Sequence, residues 1–415
     1  MRRRLAAWLG RPELLLGAWL NSFMAAMIVG HSKQPGLLFA ALVLGSLLGV
    51  VLAWGRPARY RIGPIATLGW MVMLAAILAG YAANLGLYQA QFIVANVTSM
   101  LLALATAYLL ATRCDLDWRL LLACHSLVAL TLIPIPILEG ALVWGRLTGS
   151  DLHPNYLGMI SMLTFIGALG IRSRLLRWPI LMIAAWVMVA VSSRASMLAA
   201  GVAVFTLFLC RLAGTGANTP QPVSRTIQVS LALLSGCSVL MALWLLDVPW
   251  LMRIADELFK LNDPYRGITT GASGRTELWS AALALWNAQP LLGVGFKGHA
   301  FLMPQSMPAH SAYIGMLAET GVAGTAGYLM LCAACVAGLW RRRRDRTRQT
   351  SIALVASYLV YGLVESRAVG FGNPYSILFL WIAFDAARRP LAEFAPATDP
   401  HASSPLPLRS PGTTP

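Results

Sequence analysis

Between Pro64 and Ala83 the sequence reads PIATLGWMVMLAAILAGYAA, twenty residues without a charge. Runs of this kind recur along the chain and decide what it can become. A helix needs about 20 apolar residues to cross the hydrocarbon core of a bilayer. In lipid, only helices and closed barrels satisfy every backbone N–H and C=O. Barrel strands alternate over about ten residues, whereas these runs are long and unbroken, so the chain is helical. Of its 415 residues, 58% are hydrophobic and 12% charged, about half the charge of a soluble domain. The pattern predicts an all-α polytopic integral membrane protein of about 12 transmembrane helices. The spans fall near 13–30, 35–54, 64–83, 90–111, 120–137, 154–170, 178–192, 195–211, 228–247, 310–340, 350–365 and 373–387.

The formal charge of +16 invites a nucleic-acid reading, but the placement of the charges excludes it. With the N-terminus in the cytoplasm, 23 of the 32 Lys and Arg residues fall in inner loops and 9 in outer ones. Inner arginines include Arg2–Arg4, Arg56, Arg59, Arg61, Arg113 and the RRRRDRTR run from Arg341 to Arg348. This positive-inside bias puts both termini in the cytoplasm. Arg2–Arg4 look like the start of a signal peptide, but the spans that follow make it a retained first helix. Residues 1–392 are expected to form one transmembrane domain, and 393–415, rich in Pro, Ser and Thr, a disordered cytoplasmic tail. The six cysteines lie in or beside apolar runs, which argues against a disulfide framework. Cys332 and Cys335 read as two small hydrophobes on one helix face.

One long outer loop, 248–309, breaks the pattern. Within it, TELWSAALALWNAQP (Thr276 to Pro290) carries Leu278, Ala282, Leu285 and Trp286 at helical spacing. This predicts an amphipathic helix on the membrane surface, ended by Pro290 and capped by Ser273 or Thr276. Loops of this length carry function or are disordered.

The candidate chemistry gathers on that outer side. Arg194, in VSSRASM, sits between two spans that nearly touch, and an arginine at bilayer depth costs about 2.5–3.5 kcal/mol unless it has a function. Arg266 and Arg275 lie in the loop, and guanidinium groups near a helix N-terminus suit an anion. His310 follows Pro308 and heads a span, with the Tyr313 phenol expected on its face. An imidazole there can accept a proton at neutral pH. His299 and the buried Glu319 are further acceptor-side candidates. Glu365 and Arg367 are expected to pair with each other at the outer end of a span.

Two motifs mislead. Gly293-Val-Gly295-Phe-Lys297-Gly298 matches G-x-G-x-x-G but lacks the preceding strand of a dinucleotide site. Its glycines are expected to bring backbone close to a ligand or a helix, with Lys297 within reach of phosphate. Asp115-Leu-Asp117 imitates a metal-binding D-x-D, but lies on the inner side beside Arg113 and Arg119 and reads as a solvated charge pair. No other cluster has metal-ligand spacing, so neither metal nor cofactor is expected.

SSRAS, then RTELW, then GVG, then AHSAYIGMLAETGVAG together resemble the signature region of the O-antigen ligase and polymerase superfamily. The resemblance covers about residues 180–330 in motif and the whole chain in topology. It implies a GT-C-like fold with a large periplasmic loop carrying amphipathic helices, and a multi-pass protein of the bacterial inner membrane with its active site facing the periplasm. It further implies metal-independent, inverting transfer of a glycan from a polyprenyl (undecaprenyl) pyrophosphate donor to a sugar hydroxyl of a lipid A-core acceptor. In such ligases two arginines bind the donor pyrophosphate and a histidine is essential. These map onto Arg194, onto either Arg266 or Arg275, and onto His310. Ser311 stands where many relatives have Asn. The same resemblance admits an O-antigen polymerase or a protein O-glycosylating ligase. A lipid-linked glycan transporter would show matched internal repeats, and none is visible.

Overall fold

A computed structural model describes residues 11–30, 35–133, 142–143, 146–147, 154–214, 271–303, 307–345, 347–366 and 373–391. Helices dominate: α1 (Pro12–Gly30), α2 (Pro35–Ala53), α3 (Pro64–Ala83), α4 (Ala90–Arg113), α5 (Trp118–Leu132), α6 (Pro154–Ala168), α7 (Arg174–Ala190) and α8 (Arg194–Gly214). Then come α9 (Gly271–Ala288), the one-turn α10 (His299–Leu302), α11 (Ala312–Arg341), α12 (Gln349–Val364) and α13 (Pro374–Ala387). Two short antiparallel ladders, not anticipated from sequence, pair β1 (Tyr60–Ile62) with β4 (Arg388–Pro390) and β2 (Leu142–Val143) with β3 (Arg146–Leu147).

Among the described residues, four helices, Pro64–Ala83, Ala90–Arg113, Arg194–Arg211 and Ala312–Arg341, are long and apolar enough to cross a bilayer, and shorter apolar helices accompany them. The chain is a mostly helical membrane protein. The expected spans that fall on described residues coincide with helices; 228–247, the end of 120–137 and the expected tail lie outside the described residues.

At the centre stands α13, all of whose residues are buried. A helix that is apolar all round belongs inside a bundle. Its Trp381 stacks on Trp19 of α1 at 5.2 Å, and its Phe379 on Tyr358 of α12 at 3.9 Å. Alongside, α11 crosses α3 at very short range. A Cβ on Gly69 would sit 2.8 Å from the Gly327 carbonyl, and one on Gly327 2.6 Å from that of Gly69. Small residues permit such backbone approach in membranes.

The helix α11 is not continuous. Gly321 has φ 60°, ψ −165° and breaks it. The break frees the carbonyls of Ala318 and Glu319 and the N–H groups of Val322 and Ala323, which a straight helix would pair with one another. The loop before α10 takes up all four. Val294 N–H donates to Ala318 O and Gly295 N–H to Glu319 O, both at 2.9 Å. In return, Val322 N–H donates to Pro290 O at 2.9 Å and Ala323 N–H to Leu291 O at 3.2 Å. Irregular backbone survives near lipid only when protein satisfies it in this way. The glycines of the G-x-G-x-x-G stretch therefore bring backbone to a helix, one of the two roles expected of them.

The helix ends sort the polar residues into two groups. At one end Asp385, 2% exposed, pairs with Arg348 and Arg388 and accepts from Trp118 Nε1 at 2.9 Å. Arg388 also reaches Asp115 at 2.9 Å. Burial alone would raise the Asp115 carboxyl, but the Tyr60 hydroxyl and the Arg388 and Arg59 guanidinium groups bring it below its ordinary value. Asp117 caps α5, accepting from Arg119 N and Leu120 N. Asp115-Leu-Asp117 is thus structural, though its ionic partners are Arg388 and Arg59 rather than the adjacent Arg113 and Arg119. The opposite end carries Arg194, Arg275, Lys297, His299 and His310.

Candidate active site

The polar centre of that second end is Glu365, the residue that closes α12. It is 1% exposed. Asn155 of α6 donates to its Oε1 at 2.7 Å, and the Arg275 guanidinium lies 3.6 Å from the same oxygen. His310 Nδ1 lies 3.8 Å from Oε2. Four distant segments, α6, α9, the turn before α11 and the end of α12, therefore meet at one buried carboxylate. The expected partner Arg367 lies outside the described residues, and Glu365 is instead committed to Arg275, Asn155 and His310.

The geometry at His310 differs from the expectation. Ser311, not His310, caps α11, its hydroxyl accepting from Ile314 N at 3.5 Å. His310 precedes the cap with φ 49°, so it stands off the helix and shares no helical face with Tyr313. The Tyr313 hydroxyl donates to Leu359 O at 2.8 Å and ties α11 to α12. The left-handed backbone at His310 frees its ring to turn towards Glu365.

Arg275 is likewise placed differently. The helix α9 begins at Gly271, so Ser273 and Thr276 lie within it rather than at its N-cap, and Arg275 is a helical residue reaching α12. Nor does α9 lie on the membrane surface alone. Ala282 is buried with Met303, Ala309 and Ala318, and Leu278 and Leu285 pack against them. The apolar stripe read from sequence faces protein. Arg266 lies outside the described residues.

Arg194 opens α8. Gly158 of α6, one turn beyond Asn155, presses against Ser193 and Ser196; a Cβ there would lie 2.5 Å from Ser193 Cβ. The side chains of Ser193 and Ser196 are hydrogen-bonded at 2.8 Å. Since α8 also packs along α12, the start of α8 lies beside the Glu365 cluster.

His299 and Glu319 form a second buried pair. His299 Nδ1 is 2.5 Å from Glu319 Oε1, and Ala309 N–H donates to His299 Nε2 at 3.2 Å. Nε2 must therefore accept, so Nδ1 carries the proton towards the carboxylate. With both nitrogens engaged, His299 holds the turn that leads into His310. Lys297, Glu319, Tyr156, Ser366 and Asn373 line a cavity of about 320 Å³, with Phe92, Phe301 and Met316 as apolar wall. Burial pushes the Lys297 ammonium down, partly offset by Glu319. The cavity is adjacent to the Glu365 cluster, since Tyr156, Ser366 and Pro308 follow or approach Asn155, Glu365 and His310 in sequence.

Among the described residues, the non-glycine positions with positive φ are Ser192 (49°), Lys297 (57°) and His310 (49°). All three are at this end, next to or within the candidate set. Such conformations cost about 1–3 kcal/mol each and persist where the surroundings enforce them. No group of three or more His, Cys, Asp or Glu that could hold a metal ion occurs among the described residues. The arrangement offers fixed guanidinium groups for an anion, an imidazole held near a carboxylate, and an adjoining cavity with aromatic walls.

Comparison with curated proteins finds no match. Residues 147–329 match the family model described as O-antigen ligase. That segment includes Arg194, Arg275, Lys297, His299, His310, Tyr313 and Glu319, and ends before Glu365. The segment that carries most of the candidate site is thus similar to the O-antigen ligase family.

Proposed function

We propose that this protein is an O-antigen ligase, moving a glycan from a polyprenyl pyrophosphate carrier to a sugar hydroxyl of lipid A-core at the periplasmic face of the inner membrane. The observation that carries this reading is the meeting of Arg275 and His310 at Glu365, beside the start of α8 where Arg194 stands. The glycosyl pyrophosphate bond supplies the driving force, so the protein must neutralise a leaving pyrophosphate and orient a hydroxyl. Arg194 and Arg275 supply planar, paired donors suited to phosphate, and Lys297 adds charge nearby; Arg266 remains a further candidate for the same role. One contact to Glu365 leaves most of the five donors of Arg275 available. Fixed cations aimed at developing charge are often the largest catalytic contribution. His310 accepts the proton of the attacking hydroxyl, and in-line attack on C1 inverts the anomer. The cavity beside it holds the acceptor sugar, its aromatic walls against the ring and its polar residues on the hydroxyls.

Two measurements test this. Purified protein in detergent, given both lipids, should attach glycan to lipid A-core. Growth of the carrier-linked chain instead would indicate a polymerase, and neither product would sink the reading. A cysteine at the exposed Glu277 should react with an impermeant maleimide from outside the inner membrane, and one at the exposed Arg344 only after lysis. The reverse pattern would overturn the sidedness.

A further inference from the structure

We propose that Glu365 is the positioning residue that sets the tautomer of His310, an assignment that rests on the ligase reading for its catalytic consequence. Glu365 lies outside the matched segment 147–329. Its carboxylate can only accept hydrogen bonds. Oε1 is occupied by Asn155 Nδ2 at 2.7 Å and faces Arg275 at 3.6 Å. Among the described residues, neither Oε2 nor His310 Nδ1 has a hydrogen-bond partner, although the two are 3.8 Å apart and both buried. A short rotation of the imidazole closes that gap. Catalytic hydrogen bonds are often long before substrate binds.

The nitrogen nearest a carboxylate carries the proton. Neutral His310 therefore holds its hydrogen on Nδ1 and presents a lone pair on Nε2, on the far side of the ring. The step then balances. The acceptor hydroxyl gives its proton to Nε2 as its oxygen bonds to C1. The bond from C1 to the pyrophosphate oxygen breaks, and its electron pair leaves with the carrier. The imidazolium so formed faces Glu365 until its proton passes to the leaving pyrophosphate or to water. Through Oε1 the same carboxylate holds Arg275, which couples the donor side to the acceptor side. The groups around Glu365 are Arg275 from α9, Asn155 from α6, His310 from the turn before α11, and Tyr361 on its own helix, which is within electrostatic reach of both Glu365 and Arg275.

Glu365→Gln separates this role from mere packing. Asn155 donates to Oε1 and would hold the glutamine oxygen there. The new amide NH₂ would then face His310 as a donor and demand the opposite tautomer. Protein labelled with ¹⁵N-histidine in lipid bilayers, without substrate, reports this directly, the His310 signal being assigned by its loss in His310→Gln. The expected result is an Nδ1–H ring in the wild type, an Nε2–H ring in Glu365→Gln, and return to Nδ1–H in Glu365→Asp. In the transfer assay, Glu365→Gln should lower kcat by about 10- to 100-fold, within the range of general-base assistance, with the KM for donor changed by less than about 3-fold. Glu365→Asp should recover part of the rate. An unchanged His310 tautomer in Glu365→Gln overturns the proposal, as does transfer at near wild-type kcat. Should wild-type protein transfer nothing, the ligase reading fails and the tautomer measurement still decides the role of Glu365. If Glu365→Gln does not fold, the comparison of Glu365→Asp with wild type decides it, with an Nε2–H ring in either counting against the proposal.

Discussion

His310→Ala is expected to lose at least about 10²-fold in turnover, close to 2.7 kcal/mol of barrier, while lipid-linked donor still binds. The expectation follows from where the side chain stands. His310 is outside the helix, in a left-handed conformation, with its ring towards a buried carboxylate. Nothing in the packing of α11 requires an imidazole there, since Ser311 caps the helix. Removing the ring therefore removes a proton acceptor and leaves the bundle intact. On the proposed ligase function, Arg194→Ala should behave differently, weakening donor binding as well as turnover, because its charge would face the pyrophosphate before and during the reaction. Arg194→Lys should rescue poorly, since an ammonium cannot make the two-pronged contact of a guanidinium. Initial rates across donor and acceptor concentrations, with binding of radiolabelled donor, separate the two patterns. Near-normal transfer by His310→Ala would reduce the residue to a helix-end feature. Glu319 would then be the remaining base candidate, because both nitrogens of His299 and the hydroxyl of Tyr313 already have partners.

The sequence made some of this site legible and hid the rest, for physical reasons. Long uncharged runs permit little except membrane helices, so the positions of α1 to α8 and α11 to α13 could be read directly. Arg194, Arg275 and His310 stood out because a charge or an imidazole beside apolar runs is costly enough to need a purpose. Glu365 also stood out, but its partners did not. Arg367, two residues away, was the obvious candidate, whereas Arg275, Asn155 and His310 are brought to it only by tertiary packing. His310 and Tyr313 have the spacing of one helical face, yet spacing informs only within a helix, and the cap at Ser311 places His310 outside it. The start of α9 was misjudged because Ser273 and Thr276 are good caps in isolation, whereas the helix already runs from Gly271. Least legible was the break in α11. Glu319-Thr-Gly-Val-Ala-Gly324 reads as ordinary small-residue membrane helix, and nothing local announces a turn of loop inserted into it.

That break supports the second large effect, the response to Gly321→Ala. At φ 60°, ψ −165° the backbone occupies a region that is essentially glycine-only. A Cβ at Gly321 would also collide with the Leu291 backbone. The chain then has two ways out. It can keep the break, at a cost of about 1–3 kcal/mol of strain plus displacement of the loop. Otherwise α11 straightens and pairs Val322 with Ala318 and Ala323 with Glu319. This strands Leu291 O, Val294 N–H and Gly295 N–H, each worth about 1–3 kcal/mol when left unpaired away from water, while Pro290 O keeps the Trp286 indole N–H. Straightening also turns Glu319 relative to His299 and releases the turn that carries His310. Either way a loss of about 3 kcal/mol is expected, with early proteolysis between α9 and α10 and transfer falling in parallel. Gly201→Ala is the matched control. It places the same methyl in the middle of α8, where no atom lies within 4 Å, and alanine is the better helix former by about 1 kcal/mol. Unfolding in detergent and limited proteolysis of the two variants against wild type provide the test. If Gly321→Ala melts with wild type and keeps its protease resistance, the inserted loop does not hold the site together, and the placement of Glu319, His299 and His310 must have another cause.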